Sequence, residues 1–261
     1  MKWAGGKTQL LGELCSRLPS SYGRYFEPFS GSAALFFRLQ PTTATLADAN
    51  EELIHCFRVA RDRVGELIAD LGTHENDPEY FYSVRALDPG GLDDVGRASR
   101  FIYLNRTCFN GLYRVNRRGQ FNTPFGAYKN PRICNADNLR AASAALQGVD
   151  LWDCDYRDAL TVAEAGDFVY LDPPYVPVSL YSDFKRYTKE QFREDDQVDL
   201  AGVFRYLGAR GCLVMLSNSS APLVHELYSD FNVEVVQARR MINSNPGGRG
   251  RVDEVIVRNY E

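Results

Sequence analysis

Short apolar runs alternate with longer amphipathic segments along most of the chain. The apolar runs predict strands at residues 25–28, 44–47, 149–153, 168–171, 211–217, 233–237 and 252–258. Apolar residues at helical spacing predict helices at 32–40, 50–71, 158–164, 190–209 and 221–229. This alternation is typical of a doubly wound α/β sheet, and the last two strands, which no clear helix separates, predict a terminal antiparallel pair.

Residues 73–147 interrupt this alternation. Helical patterns cover 78–87, 93–108 and 136–147, and the stretch 111–126 alternates bulky and polar residues around Arg117-Arg118-Gly119. Such an alternation about a glycine predicts a β-hairpin. We therefore expect a core formed by 1–72 and 148–261, with an inserted subdomain at 73–147.

The charge of the chain is unevenly distributed. Its net charge of −4 argues against a nucleic-acid partner, but eight basic residues and no Asp or Glu lie between Arg97 and Arg132. The rest of the chain then holds 22 basic and 34 acidic residues, a balance of −12. Aromatic residues interleave the basic ones. Because a merely solvated face usually mixes both signs, this basic segment predicts contact with nucleic-acid phosphates.

Several classes of protein are not supported by the composition. The 261 residues are 44% hydrophobic and 25% charged, as in an ordinary globular protein, and no apolar run approaches a membrane span or a secretion signal. The six cysteines are scattered without a CxxC pair and are expected to be reduced cytoplasmic thiols. The three histidines lie far apart, so no metal site is expected.

The tetrapeptide Asp172-Pro173-Pro174-Tyr175 follows the apolar run at 168–171. Ligands bind at this end of the strands in open α/β sheets. The Asp172 carboxylate and the Pro173 carbonyl can each accept one N–H of an exocyclic amino group, while Tyr175 stacks on the base. Holding both hydrogens aims the nitrogen lone pair at a methyl donor and stabilises the developing charge. A simple strand-ending turn would use the same residues, so the tetrapeptide alone leaves both interpretations open.

Two earlier junctions carry residues suited to a nucleoside ligand. Phe29-Ser30-Gly31 follow the first predicted strand, where small residues and a helix N-terminus favour a ligand, although a tight turn is the alternative. Asp48 ends the second strand and can accept both ribose hydroxyls. Asn50 can cap the next helix, which would leave Asp48 available to a ligand.

The first residues, Lys2-Trp3-Ala4-Gly5-Gly6-Lys7-Thr8, superficially suggest a phosphate-binding P-loop. The required glycine spacing and the preceding strand are both missing, so the sequence does not support ATP binding. Lys7 is expected instead to pair with the carboxylate of an amino-acid-bearing ligand, with Trp3 packing nearby.

Together these motifs resemble the Dam family of DNA adenine-N6 methyltransferases. The matching stretches follow the family's order: KWAGGK (2–7), FEPFSGSAALF (26–36), LADAN (46–50), NRTCFNGLYRVNRRGQFNTPFGAYKNP (105–131), VYLDPPY (169–175), LSN (216–218) and RRMINSN with GRGRVDE (239–254). The resemblance implies a Rossmann-like α/β core with a helical and β-hairpin insertion. It also implies methyl transfer from S-adenosylmethionine to adenine N6 in duplex DNA, within GATC, by base flipping and direct transfer.

The resemblance assigns roles to the residues that match these motifs. The catalytic residues would be Asp172, Pro173 and Tyr175. The cofactor would contact Trp3, Lys7, Phe29, Ser30, Gly31, Asp48, Asp155, Tyr156 and Asp172. The DNA would contact Lys2, Phe109, Asn110, Leu112, Arg114, Asn116, Pro124, Tyr128, Lys129, Arg249 and Arg251.

Within the DNA set, Arg114 matches an arginine that contacts a guanine, which suits the bidentate pairing of these groups. Apolar contacts to a thymine methyl are implied for Leu112 and Pro124. Phosphate contacts, which position a protein without specifying sequence, are implied for Lys129 and for the loop that holds Arg249 and Arg251.

The remaining matches concern the first base pair and the intercalating turn. Lys2 and Tyr128 match residues near the first base pair, and Asn110 matches a polar residue of the turn. Phe109 stands where well-known members have a tyrosine that inserts into the duplex, and it keeps the apolar wedge without the hydroxyl.

Two alternatives stay open: an RNA adenine methyltransferase, and a DNA-binding relative that has lost catalysis. The hairpin disfavours the first, and the intact Asp172 and Tyr175 disfavour the second. The implied partner is double-stranded DNA. The implied location is the cytoplasm, at the nucleoid of a prokaryote, and the protein could equally be encoded by a phage. A cognate restriction endonuclease system is compatible with the sequence, and neither a membrane nor a stable protein partner is implied.

Overall fold

The computed structural model of the chain describes residues 3, 6–177, 192–239 and 251–261, without the side chains of Arg239 and Arg251. Its strands are β1 (Tyr25–Glu27), β2 (Ala44–Ala47), β3 (Asp150–Trp152), β4 (Phe168–Leu171), β5 (Leu213–Ser219), β6 (Asn232–Arg239) and β7 (Arg251–Arg258). The α-helices are α1 (Leu11–Cys15), α2 (Ala34–Leu39), α3 (Glu51–Asp62), α4 (Val64–Leu71), α5 (Pro78–Ala86), α6 (Asp94–Thr107), α7 (Ala136–Ala145), α8 (Tyr156–Leu160), α9 (Glu194–Ala209) and α10 (Pro222–Leu227). The predicted strands at 44–47 and 168–171 are confirmed to the residue.

The chain divides into two compact units, and the sheet unit consists of the described parts of Lys7–Ala47, Asp155–Lys185 and Gln191–Glu261. Its strands hydrogen-bond in the order β2-β1-β4-β5-β7-β6, within a seven-stranded sheet of the chain. Strands β2, β1, β4 and β5 are parallel, whereas β7 is antiparallel to both β5 and β6. The predicted α/β class and the terminal antiparallel pair are confirmed. The sequence did not predict that β7 lies between β5 and β6.

Burial explains why β4 is apolar without interruption. All four of its residues are at most 1% exposed, as expected for a central parallel strand covered on both faces. Its register pairs Leu171 with Leu216 of β5, so these two parallel strands end beside each other. The residues that follow β4 and end β5 are therefore held at one edge of the sheet.

The helical unit is built mainly from Asp48–Cys154 and contains α3 to α7. The prediction of one helix at 50–71 was wrong, because the chain breaks at Arg63, where φ is −132° and ψ is 37°. Arg63 is neither Gly nor Pro, and the nearest glycine, Gly65, lies two residues further on, inside α4. A second helix, α4, starts after the break and buries Leu67 and Leu71, which are 0% and 1% exposed, so burial of α4 takes precedence over a continuous helix.

The amino ends of β1 and β4 are joined by a partly buried ion pair that should stabilise the sheet unit. The Asp167 carboxylate accepts from the Arg24 guanidinium at 2.6 Å and from the backbone N–H groups of Arg24 and Glu164. Burial alone would raise the pKa of Asp167, but the bonds from Arg24 and from the backbone outweigh it, so the pKa lies below its usual value.

Asp167→Ala should lower the free energy of unfolding by about 1–3 kcal/mol, since it leaves partly buried donors without their acceptor. Glu164→Ala, which removes a largely exposed partner of the same arginine, should cost only about 0–1 kcal/mol. Because the folded pKa of Asp167 is depressed, its contribution is present at neutral pH and is lost as the pH falls below the ordinary carboxyl range. Urea unfolding at several pH values tests this, and equal losses in the two variants would contradict it.

Candidate active site

Asp172 follows β4 directly and is held by two side chains from distant parts of the sheet unit. The Lys7 Nζ lies 2.8 Å from its Oδ1 atom, and the Ser217 hydroxyl donates to the same oxygen at 2.9 Å. Lys7 is only 7% exposed and Ser217 is fully buried. The carboxylate therefore has a fixed orientation at the edge of the sheet.

Tyr170 extends this polar chain into the sheet. Its hydroxyl lies 2.9 Å from the Ser217 hydroxyl, which itself donates to Asp172. Burial, and then the Asp172 charge, raise the pKa of Tyr170 well above its usual value. The phenol thus stays protonated and can donate to Ser217 at any working pH.

Tyr175 is fixed at both its hydroxyl and its ring. The hydroxyl donates to Glu254 of β7 at 2.7 Å, and the Lys7 ammonium lies 4.3 Å from the ring centroid. Burial, followed by the charges of Asp172 and Glu254, raises the pKa of Tyr175 well above its usual value. The ring therefore stands beside the Asp172 carboxylate as a neutral aromatic surface.

The junction after β1 has a backbone and a hydroxyl suited to a ligand. Gly31 has a φ of +46°, a left-handed conformation that glycine adopts without steric cost. The Ser30 hydroxyl is 4% exposed, with no hydrogen-bond partner among the described residues. A buried hydroxyl of this kind marks a place where a bound group can supply the missing partner.

The helix that follows this junction offers fewer backbone donors than the sequence led us to expect. Glu27, 2% exposed, accepts the Phe36 N–H of α2 and also the Tyr25 hydroxyl through its Oε2 atom. One amide of the first turn is thus occupied by the protein itself. Glu27 instead ties the end of β1 to the start of α2, which holds the intervening turn in place.

An aromatic cluster surrounds Phe29. Its ring stacks on Tyr156 with centroids 4.9 Å apart and meets Phe192 edge-on at 5.9 Å. Asp155, just before Tyr156, is exposed and caps α8 by accepting the Arg157 N–H at 2.9 Å. The structure thus brings three of the predicted cofactor residues together, and it adds Phe192, which the sequence did not indicate.

Asp48 lies in the helical unit, where its carboxylate orients a local turn before α3. Its Oδ1 atom accepts the Asn50 N–H at 2.9 Å. Asn50 caps α3 through Leu53, as the sequence predicted. A carboxylate has several acceptor positions, so this local turn orients Asp48 without excluding a hydroxyl ligand.

Trp3 belongs to the helical unit, where it contacts aromatic rings of the inserted segment. Its ring stacks on Tyr113 at 5.7 Å and lies 6.3 Å from Phe101. Lys7 belongs to the sheet unit, where it contacts Asp172. The sequence paired Trp3 with Lys7 and did not predict either set of contacts.

The predicted hairpin at 111–126 reverses direction but forms isolated bridges rather than strands. The bridges pair Val115 with Phe121 and Cys108 with Phe125. Gly119, at a φ of +78°, supplies the left-handed turn residue. In this segment, side chains form many of the hydrogen bonds to backbone groups that a regular β-ladder would otherwise form.

Arg114 and Asn116 illustrate this use of side chains. The Arg114 Nε atom donates to Asn122 at 2.8 Å, which holds the exposed guanidinium in one orientation. The Asn116 side chain accepts the backbone N–H groups of Arg118 and Gln120, so it organises the turn. Arg114 thus lies on a fixed turn with its charge exposed.

The basic segment is less uniformly exposed than its sequence indicates. Arg97 pairs with Glu51 and Glu52, and Arg100 is 6% exposed and donates to the last carbonyls of α5. These two arginines stabilise the packing of the helices and are not part of the exposed basic surface. The exposed basic residues are Arg114, Arg117, Arg118, Lys129 and Arg132.

Other predicted DNA residues surround an exposed turn. Phe109 is 51% exposed, and the adjacent Asn110 has a φ of +55°. The Phe109 N–H donates to the Pro124 carbonyl at 2.8 Å, which ties the turn to the returning chain. Leu112 is half-buried and Pro124 exposed, while Tyr128 is half-buried.

Three predicted DNA residues cannot be placed. Lys2 and Arg249 lie outside the described residues, as does the side chain of Arg251 at the start of β7. Across the described residues, no three His, Cys, Asp or Glu side chains are grouped as a metal ion would need. No helix in the same ranges is long and apolar enough to cross a membrane.

Sequence reasoning missed several side chains of this site, chiefly Ser217 and Glu254. Both lie in motifs, LSN and GRGRVDE, that were noted only as matching stretches. Their proximity to Asp172 and Tyr175 depends on pairing of β4 with β5 and of β5 with β7. Assigning each motif to a neighbouring strand could have suggested the first contact.

Comparison with known proteins agrees with this geometry. Residues 3–242 match the family model of the D12 class N6 adenine-specific DNA methyltransferases. The chain is 44% identical over 267 residues to the Type II methyltransferase M1.LlaDCHI of Lactococcus lactis subsp. cremoris, covering 99% of this chain and 94% of that protein. It is 39% identical over 283 residues to the Type II methyltransferase M.MjaIII of Methanocaldococcus jannaschii, covering 100% and 98%. It is 36% identical over 261 residues to the DNA adenine methylase of Escherichia coli K12, covering 98% and 93%.

Proposed function

Because the chain belongs to the D12 class of N6 adenine-specific DNA methyltransferases, we propose that it transfers a methyl group from S-adenosylmethionine to adenine N6 within GATC in duplex DNA. The observation that carries this proposal is the Asp172 carboxylate, oriented by Lys7 and Ser217 beside the Tyr175 ring.

The residues at the strand ends fit S-adenosylmethionine. The buried Ser30 hydroxyl and the turn at Gly31 suit a polar amino-acid group, and Lys7 suits its carboxylate. Phe29 and Tyr156 offer aromatic faces to an adenine, with Asp155 beside them. Asp48 would accept the ribose hydroxyls and Trp3 would pack nearby, as their positions in the family's motifs suggest. When bound, the cofactor supplies an electrophilic methyl group.

The protein's part in the reaction is to activate a poor nucleophile. The N6 lone pair of adenine is conjugated into the ring, and the Asp172 carboxylate and Pro173 carbonyl would each accept one N6 hydrogen. The nitrogen would then pyramidalise and take the methyl group as the carbon–sulfur bond breaks and the sulfur leaves as a neutral thioether. The cationic nitrogen would afterwards give one proton to solvent. Both acceptors stabilise the positive charge that develops on the nitrogen. No covalent enzyme intermediate is required.

The target adenine must leave the duplex to reach Asp172, so we expect base flipping. Tyr175 would receive the flipped base by stacking, since its ring is already fixed by Glu254 and Lys7. The exposed Phe109 would fill space vacated in the duplex. Residues 73–147 would form the recognition subdomain, with Arg114 reading guanine, Leu112 and Pro124 a thymine methyl, and Lys129 a phosphate.

Tyr175→Ala should reduce kcat/KM about 5- to 150-fold, because base–aromatic stacking contributes about 1–3 kcal/mol. Tyr175→Phe keeps the ring and loses only the hydroxyl that donates to Glu254, so its loss should be several-fold smaller. Steady-state methylation of a duplex containing GATC measures both variants. Equal losses in the two variants would show that the hydroxyl, not stacking, is what matters.

The proposed function itself is tested by transfer of radiolabelled methyl groups from S-adenosylmethionine. The substrates are a duplex with one GATC, the same duplex with the site shuffled, and an RNA of the same sequence. Label should enter only the GATC duplex, at adenine N6. Label in RNA alone would favour an RNA methyltransferase, and binding without label in any substrate would favour a DNA-binding protein that has lost catalysis.

Two biological roles are compatible with the proposed reaction: a methylase that acts alone, or the methylase of a restriction–modification system. Two of the relatives are named Type II methyltransferases and one is named a DNA adenine methylase. A gene for a GATC-cleaving endonuclease beside the gene for this chain would assign it to restriction and modification in a prokaryotic or phage-infected cell.

A further inference from the structure

A buried polar network holds the backbone that follows Asp172. Gln197 of α9 donates its Nε2 hydrogen to the Pro174 carbonyl at 2.8 Å. Asn218 of β5 accepts the Val176 N–H at 3.1 Å, and Ser219 donates its hydroxyl to the Val176 carbonyl at 2.7 Å. Three side chains thus contact three backbone groups, and we call them the loop clamp.

The three residues of the loop clamp also bind one another. The Asn218 side-chain NH2 donates to the Gln197 side-chain oxygen at 3.1 Å, and the Asn218 oxygen accepts the Ser219 N–H at 2.8 Å. Gln197, Asn218 and Ser219 are 3%, 0% and 5% exposed. Rotating either amide by 180° would bring like groups together, so each amide has one satisfactory orientation.

Two of the three clamped groups lie in the peptide planes that flank Tyr175, and the third, the Val176 carbonyl, lies in the next plane along the chain. The Pro174 carbonyl belongs to the plane before Tyr175, and the Val176 N–H belongs to the plane after it. Because peptide units are planar, the only soft torsions between these two planes are φ and ψ of Tyr175. Fixing both planes therefore fixes the direction in which the Tyr175 side chain leaves the backbone.

Simple packing does not require polar side chains at these positions. Burying an amide costs free energy unless it is hydrogen-bonded, and apolar residues of similar volume would fill the same space without that requirement. A partly satisfied buried network is costly, whereas a fully satisfied one rigidifies the groups that it joins. The loop clamp therefore rigidifies the loop that carries Tyr175. In the proposed reaction, this loop and the preceding Asp172 bind the target base.

We propose that Gln197, Asn218 and Ser219 are positioning residues for methyl transfer. This role rests on the proposed function. Gln197 and Asn218 hold the peptide planes on either side of Tyr175, Ser219 holds the plane that follows, and Glu254 and Lys7 restrain the Tyr175 side chain. Reacting groups need placement within about 0.5 Å, and a displacement of about 1 Å can reduce the rate on the order of 100-fold. The loop clamp thus acts on kcat through the position of the stacked base.

Two variants test the loop clamp. Gln197→Met removes the donor to Pro174 while keeping a side chain of similar length, and should lower kcat about 10- to 100-fold. Ser219→Ala removes only the hydroxyl that contacts Val176, and should lower kcat roughly 3- to 10-fold. Affinity for S-adenosylmethionine, by calorimetry, and for the duplex, by fluorescence anisotropy, should change by less than about twofold, because the lost interaction acts in the transition state.

Each variant has a matched control elsewhere in the chain. Asn259 also uses its amide on backbone groups, accepting the Val214 N–H at 2.7 Å and donating to the Cys212 carbonyl at 2.8 Å. Asn259→Ala should lower the melting temperature while kcat stays within about twofold of the wild type. Ser143, which donates its buried hydroxyl to the Arg61 carbonyl at 2.9 Å, is the control for Ser219.

The proposal is overturned if Gln197→Met and Ser219→Ala keep the wild-type kcat, or if the two control variants lose as much. Rates are measured well below each melting temperature, so that the folded fraction is close to one. If Gln197→Met does not fold, the pair Ser219→Ala and Ser143→Ala decides alone. An active wild type with unaffected variants contradicts only the loop clamp, whereas a wild type without methyl transfer overturns the proposed function and this role with it.

Discussion

Asp172→Ala should retain binding to duplex DNA and lose methyl transfer, with kcat reduced by at least about 10²- to 10³-fold. This range is what removing one preorganised electrostatic contact to a transition state typically costs. DNA affinity should persist, because the carboxylate carries the same charge sign as the phosphates and its loss removes no favourable contact with them. Single-turnover transfer of labelled methyl groups measures the first quantity, and fluorescence anisotropy with a GATC duplex measures the second.

Two further variants separate chemistry from charge. Asp172→Asn keeps one carbonyl oxygen as an acceptor and should retain more activity than Asp172→Ala. Asp230→Ala, which removes a largely exposed acidic side chain of the same unit, should behave like the wild type. Full activity of Asp172→Ala would exclude the proposed role of this carboxylate in activating N6.

Arg114→Ala should lower kcat/KM on a GATC duplex about 5- to 150-fold and weaken discrimination at the guanine. A good bidentate contact between an arginine and guanine contributes about 1–3 kcal/mol of discrimination. The structure supports a strong effect, since Asn122 holds the exposed guanidinium by its Nε atom. Rates on duplexes in which 7-deazaguanine or adenine replaces the guanine measure how far the preference relaxes, since the first lacks the N7 acceptor and the second has an amino donor in place of O6.

Arg118→Ala is the matched control, because Arg118 is exposed in the same turn. We propose that its exposed charge meets a phosphate, so the variant should weaken binding to all duplexes alike and reduce the slope of log K against log salt concentration by about 1. If Arg114→Ala also weakens binding uniformly, with its preference for the guanine intact, Arg114 binds phosphate and another residue reads the base.

Local sequence patterns predicted helices and strands correctly where the structure depends only on residues close together in the sequence. The unbroken apolar run of β4 and the Asn50 cap of α3 both require only neighbouring residues, and both are confirmed. The pattern failed at Arg63, where helical spacing continues although the helix does not. There the burial of α4 decides the backbone, and residues distant in the sequence supply that burial.

Charge patterns identified the basic segment but not how each arginine is used. Arg97 pairs with Glu51 and Glu52 of α3, and Arg100 caps α5, so both are withdrawn from the exposed surface. Absence of acidic residues within a segment says nothing about acidic residues that pack against it. Only the packing of the helices separates the structural arginines from the exposed ones.

The sequence by itself determined the α/β class, the family and the Asp172–Tyr175 motif after a buried strand, because these depend on local order and residue type. The tertiary structure alone decided which side chains act on that motif. Ser217 lies 45 residues from Asp172, Glu254 lies 79 residues from Tyr175, and Gln197 lies 23 residues from Pro174. Such contacts arise from strand pairing and helix packing, which bring remote segments within hydrogen-bonding distance and leave no periodic pattern in the sequence.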